Sequence, residues 1–230
     1  MRGVIFDLDG TLIDSLPDVV ASLNTAMRTA GRREVALAEA AAMVGGGAVP
    51  LIERAFRATG ADATAEETER AVDAFLAAYR LRPAEATVIF DGALDVLDEL
   101  RDAGMSLGIC TNKPHEMALA VLDALGIAGW FQACFGKGAF AFNKPDRRHY
   151  DAVSEAMGLP SRHTVYVGDS ATDVATAKAA SVPVVLVTFG YSAEPVETLG
   201  ADRLIDRFSD LPSALAEISA GRTDFEQRAL

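Results

Sequence analysis

Cysteine is almost absent from the sequence: Cys110 and Cys134 are the two among 230 residues, each within an apolar stretch. Two such residues cannot build a disulfide framework, and buried thiols in a reducing, cytoplasmic setting are expected. Long hydrophobic runs are missing too. None approaches the ~20 residues that a bilayer-spanning helix needs, and no secretory leader is legible. Positive charge is scarce, with 21 Lys plus Arg against 33 Asp plus Glu and a net charge of −12. That balance excludes nucleic acid and anionic membrane as expected partners, since both require basic patches. A small anionic ligand remains compatible, because the local charge of a site can oppose the net charge. Repeats, low-complexity segments and long linkers are also missing. The tail, residues 223–230, is expected to fray.

What is present is a buried core in the making: half of the residues are hydrophobic. Short apolar runs read as strands at 4–6, 105–110, 164–167 and 182–188, with weaker runs at 131–135 and 203–205. Helical spacing separates them, as at 93–103, 114–125 and 171–180. Continuous apolar strands alternating with helices predict an α/β chain with a parallel sheet covered on both faces. One region breaks the alternation. Residues 16–82 read as helices only, at 18–30, 36–44, 48–59 and 64–81. An all-helical module is therefore expected to interrupt the core directly after its first strand, leaving residues 1–15 and 83–230 as the core domain.

Ligands of open parallel sheets bind at the carboxyl ends of the strands. The residues that follow each strand there are Asp7, Asp9, Gly10 and Thr11, then Thr111, Asn112 and Lys113, then Asp169, Ser170 and Asp173. Lys144–Pro145 lies between the second and third groups. Each piece has a plain alternative. Asp169, Ser170 and Asp173 could cap a helix, Thr111 and Asn112 another, and Lys144 could be solvated. Asp7 and Asp9 are harder to dismiss, because two like charges two residues apart repel unless a cation intervenes. With Asp169 they would form an oxygen-only cluster suited to Mg²⁺. Lys144 would then neutralise a phosphoryl group, and Thr111 would bind its oxygens. Asp7 could attack phosphorus, and Asp9 could protonate the leaving oxygen and later deprotonate water.

The stretches "DLDGTLIDS", "TNK", "KP" and "GDSATD" occur in that order. They resemble the four motifs of the haloacid dehalogenase superfamily, across essentially the whole chain. The resemblance implies a Rossmann-like core with an inserted helical cap. It also implies Asp7 as nucleophile, Asp9 as acid/base, and Mg²⁺ held by Asp7, the backbone carbonyl of Asp9, and Asp169. Thr111 would bind phosphoryl oxygen and Lys144 would stabilise charge, with Gly10, Thr11 and Asn112 beside the substrate. Asp173 would orient either Lys144 or a metal-bound water. Within residues 16–82, "VGGGAVPLIERAF" at 44–56 is similar to the cap segment of phosphoglycolate phosphatases. That similarity implies a glycine loop at 45–47 over the active site, with Gly46 near the substrate and Arg54 facing its carboxylate or making a surface pair. No Lys-Ser/Thr follows the glycines, so they are not a nucleotide loop. One departure stands out: where the family often has a second proline after Lys144–Pro145, this chain has Arg147.

The expected activity is Mg²⁺-dependent hydrolysis of a small phosphorylated metabolite, 2-phosphoglycolate first, by a monomer or homodimer. The alternatives are a sugar phosphomutase resembling β-phosphoglucomutase and, from a different class, a receiver-like phosphoacceptor module. A dehalogenase would lack the acid at Asp9. A phosphonate hydrolase would want a cap lysine, and residues 16–82 contain none.

Overall fold

The computed structural model describes residues 1–228. Six parallel strands form the central sheet: β1 (Gly3–Phe6), β4 (Ser106–Pro114), β5 (Ala133–Lys137), β6 (Thr164–Gly168), β7 (Val184–Val187) and β8 (Arg203–Ile205). Their spatial order is β5-β4-β1-β6-β7-β8, so β1 lies in the middle with β4 and β6 on either side. Helices pack on both faces of such a sheet, which is why β1, β6 and β7 are buried along their whole length. The connecting helices are α5 (Ala93–Asp102), α6 (His115–Ala124), α7 (Arg147–Ala156), α8 (Ala171–Ala180) and α9 (Leu211–Arg228). This is the α/β parallel-sheet architecture expected from the apolar runs, and the Rossmann-like core that the family resemblance implies.

Between the first strand and the rest of the sheet come α1 (Leu16–Thr29), α2 (Leu37–Ala41), α3 (Ala48–Thr59) and α4 (Ala65–Leu81). Helix α1 packs on the other three. Their apolar faces close over Leu23, Met27, Ile52, Phe56 and Phe75. A feature not foreseen marks both crossings into this helical segment. Strand β2 (Ile13–Asp14) pairs antiparallel with β3 (Val88–Ile89). The buried Asp18 carboxylate reinforces the clasp by accepting from the Ala86 and Thr87 N–H groups and the Thr87 hydroxyl, at 2.6–3.0 Å. Two-residue strands are too short to show a period of two, so the sequence hides them.

Two further differences have local causes. Cys110 is buried as expected, but Cys134 is only partly so, because β5 is an edge strand. Helix α9 runs on through Arg228, into the tail expected to fray; residues 229–230 lie outside the described residues. No helix among the described residues is long and apolar enough to cross a membrane.

Candidate active site

The carboxyl ends of β1, β4 and β6 lie side by side and bring their following residues together. Asp7 comes directly after β1, and its N–H still bonds to the Val167 carbonyl of the neighbouring strand at 2.8 Å. Its carboxylate accepts from the Leu8 N–H at 2.7 Å and pairs with Lys144 Nζ at 2.9 Å. Lys144 is 2% exposed, and on its other side it donates to Asp173 at 2.7 Å. The second oxygen of Asp173 accepts from the Asp169 and Ser170 N–H groups and from the Ser170 hydroxyl. Asp173 thus bonds to both Lys144 and the residues that open α8.

Asp7, Asp169 and Asp173 each present a carboxylate oxygen within 4.8 Å of the others. The Asp9 carboxylate, read from the residues as joining Asp7 and Asp169, goes elsewhere, which leaves open the backbone carbonyl that the resemblance implies as ligand. Strand β1 ends at Phe6, and the chain turns at Gly10, where φ is 80°. Alternation along a strand therefore no longer governs Asp9. Its carboxylate pairs with Lys113 Nζ at 2.8 and 3.1 Å and accepts from the Ser15 hydroxyl at 2.6 Å. Gly10 serves a second purpose. A Cβ there would stand 2.4 Å from an Asp169 oxygen, so only glycine lets the backbone pass so close.

The electrostatics follow from burial. Desolvation pushes the Asp7 carboxyl up to about 6, with a further push from Asp173 and an opposing pull from Lys144. Burial, then Asp173 and Asp7, push Asp169 well above the usual carboxylate range. Burial acts the same way on Asp173, but Lys144, Ser170 and the Asp169 N–H outweigh it and hold that carboxyl low. With Asp173 satisfied, Asp7 and Asp169 are left as crowded, hard oxygen donors short of positive charge. That donor set fits a small divalent cation such as Mg²⁺.

Two adjoining cavities open over this floor. One is lined by Asp7, Asp9, Thr111 and Asn112 together with Gly45, Gly47, Tyr79 and Lys113. The other is lined by Asp9 and Asp169 with Gly46, Arg54, Ser170 and Tyr191. The glycine loop at 45–47 therefore borders both. Arg54 is exposed and donates to the Met43 carbonyl at 2.8 Å. Thr111 accepts from the Lys113 N–H at 3.2 Å, and Asn112 donates to the Lys144 carbonyl at 3.2 Å. The Thr11 hydroxyl and the Asn112 carbonyl oxygen are buried without a hydrogen-bond partner among the described residues.

Three residues of this site went unassigned in the sequence. Lys113 is buried and donates to the Tyr79 hydroxyl at 2.6 Å as well as to Asp9. Its place in the last residues of β4, in "TNK", was the available signal. Tyr79 sits on the apolar stripe of α4, where nothing separates it from a core residue. The Tyr191 N–H donates to Asp169 at 2.7 Å, and its hydroxyl donates to Asp14, across a sequence distance no motif spans.

Known proteins resemble this chain over most of its length. The haloacid dehalogenase-like hydrolase family matches residues 1–181. A phosphoglycolate phosphatase of Caulobacter vibrioides is 42% identical over 211 residues, covering 92% of this chain and 89% of that protein. One from Rhodospirillum rubrum is 42% identical over 217 residues, covering 91% and 89%. A solved structure described as a predicted phosphoglycolate phosphatase from Haemophilus somnus superposes with a TM-score of 0.86 at 27% identity. It covers 93% of this chain and 97% of that one.

Proposed function

The chain belongs to the haloacid dehalogenase-like hydrolases, and from that premise we propose that it hydrolyses 2-phosphoglycolate through a covalent intermediate on Asp7. The observation that carries the chemistry is the placement of Asp7. It is a strand-end carboxylate with one oxygen held by the Leu8 N–H and the other facing the buried Lys144. The substrate follows from the relatives of that name, similar over nine-tenths of the chain.

The steps are assigned to residues of this chain. An Asp7 oxygen attacks phosphorus as the bond to the ester oxygen breaks, and Asp9 gives that oxygen a proton. Asp9 then takes a proton from water, which attacks the aspartyl-phosphate and releases phosphate with Asp7 restored. Lys144 faces the charge that builds on the phosphoryl oxygens, and Thr111 binds one of them. Asp7, Asp169 and the Asp9 carbonyl would hold Mg²⁺, which when bound supplies further positive charge at the phosphoryl group. Residues 16–82 act as a cap: α1–α4 and the loop at 45–47 cover the strand ends and keep bulk water and large substrates out.

Phosphate release from a panel of phosphorylated metabolites, with Mg²⁺ present, tests this reading. 2-Phosphoglycolate should lead the panel. Asp7→Asn should abolish turnover while circular dichroism stays unchanged, since the amide keeps the shape but is a poor nucleophile. A hexose phosphate or nucleotide hydrolysed much faster would overturn the substrate. Activity of Asp7→Asn within tenfold of wild type would overturn the mechanism.

A further inference from the structure

We propose that Lys113 binds the substrate's carboxylate and thereby selects 2-phosphoglycolate among phosphate esters. The inference rests on the phosphoglycolate reading above and adds the residue that enforces it. In 2-phosphoglycolate a single methylene separates the ester oxygen from the carboxyl carbon. The group that protonates that oxygen and the group that holds the carboxylate must therefore be neighbours. Asp9 has the first role, and Lys113 Nζ stands 2.8 Å from it.

The cavity that holds Asp7, Asp9 and Thr111 offers Lys113 as the one cation among its lining residues. Its far walls are apolar, with Val19, Leu51, Phe75 and Met117. A lysine in such surroundings is a strong anion site, because little water competes for it. The site already holds a carboxylate in the structure: both oxygens of Asp9 lie within 3.1 Å of the ammonium. Tyr79, now accepting from Lys113, carries a hydroxyl proton free to turn toward a second carboxylate.

Arg54 is the less suitable partner. It is exposed, its guanidinium is engaged with the Met43 carbonyl, and it lines the adjoining cavity beside Asp169 and Tyr191 instead.

The test compares 2-phosphoglycolate with its neutral amide, glycolamide phosphate, on the full-length enzyme. Wild type should strongly prefer the acid. Lys113→Met should lower kcat/KM for the acid by about 100-fold or more, as expected when a buried charge pair is truncated. The loss on the amide should be far smaller, so that the preference collapses, with most of the change in KM. Lys113→Arg should restore part of the preference. If Lys113→Met fails to fold, Lys113→Gln, which keeps a donor beside Asp9, takes its place in the same comparison. Equal losses on both substrates would overturn the proposal and make Lys113 a positioning residue for Asp9. Loss of the preference in Arg54→Ala but not in the Lys113 variants would also overturn it. A wild type that prefers the acid while every Lys113 variant keeps that preference would sink the anchor alone. A wild type that hydrolyses neither ester but turns over other phosphates would sink the phosphoglycolate reading itself.

Discussion

Lys144 and Asp173 meet at 2.7 Å with both side chains buried. The other oxygen of Asp173 accepts from Asp169 and Ser170, the two residues that precede α8. The pair ties the cation that faces Asp7 to a rigid helix start. The Lys144 ammonium thus has a restraint from Asp173 on α8, beside the Asn143 contact to its backbone carbonyl, with Arg147 in place of the proline of the resembling family.

Replacing Asp173 by Asn should therefore cost both stability and activity. Removing one partner of a buried ion pair typically costs about 3–5 kcal/mol, and the remaining contact with Asp7 should keep this case near the lower figure. Activity should fall about 10–100-fold, the usual penalty for losing the support of a residue at a reacting centre. Urea denaturation and phosphate release on the same sample check both. An unchanged midpoint with unchanged kcat would contradict the assignment.

Mg²⁺ should be required and should also stabilise the fold. Asp7 and Asp169 are crowded carboxylates whose ionised forms are disfavoured by burial, so a cation between them relieves a cost already present. A ligand at 100 times its dissociation constant adds about 2.7 kcal/mol of stability. Chelator should abolish turnover and lower the Tm. Ca²⁺, with ~6–8 ligands and longer bonds, should bind without supporting turnover. Asp169→Ala should erase the Mg²⁺-induced rise in Tm, and full activity in excess chelator would refute the requirement.

The sites and strands that could be read from the sequence share a cause, as do those that could not. Strands β1, β4, β6 and β7 sit in the interior of a parallel sheet, so they appear as continuous apolar runs, and β8, though at an edge, matched its run at 203–205. Asp7, Thr111 and Asp169 follow from those runs by the strand-end rule alone. The direction of the Asp9 side chain lies beyond the reach of strand alternation, because β1 ends at Phe6. The β2–β3 clasp is two residues long on each side, and α7 begins with the polar run Arg147-Arg148-His149, which conceals a helix. Lys113 was legible as a cation at a strand end, but its partner Tyr79 comes from a helix 34 residues away. A single sequence supplies residue types at strand ends and withholds which distant element completes the pair.

Gly10→Ala should damage the metal site more than the fold. The backbone at Gly10 has φ 80°, where a Cβ costs ~1–2 kcal/mol. The new Cβ would also stand 2.4 Å from an Asp169 oxygen and 2.9 Å from the Tyr191 ring. Asp169 would have to move, losing its alignment with Asp7. Chemical denaturation should show a loss of a few kcal/mol at most, while the Mg²⁺ concentration for half-maximal activity rises at least tenfold. A Mg²⁺ requirement equal to that of wild type would show that Asp169 does not hold the ion.

His149 should give the protein an acid-sensitive stability outside the active site. It lies on α7 and is fully buried. Its Nε2 lies 3.1 Å from the Phe135 carbonyl, and its Nδ1 is buried without a hydrogen-bond partner among the described residues. Desolvation first, and the nearby Lys144 second, press its pKa down from 6.5 to about 4. Between those two values the unfolded chain binds a proton that the folded chain refuses. Stability therefore rises with pH across that window, is fully present above about 6.5 and is lost as pH falls toward 4. The loss attributable to this one residue is on the order of 3 kcal/mol. His149→Gln keeps a donor for the Phe135 carbonyl but cannot titrate. Urea midpoints measured from pH 4.5 to 7.5 should fall more steeply on acidification for wild type than for the variant, and parallel curves would remove His149 from the account.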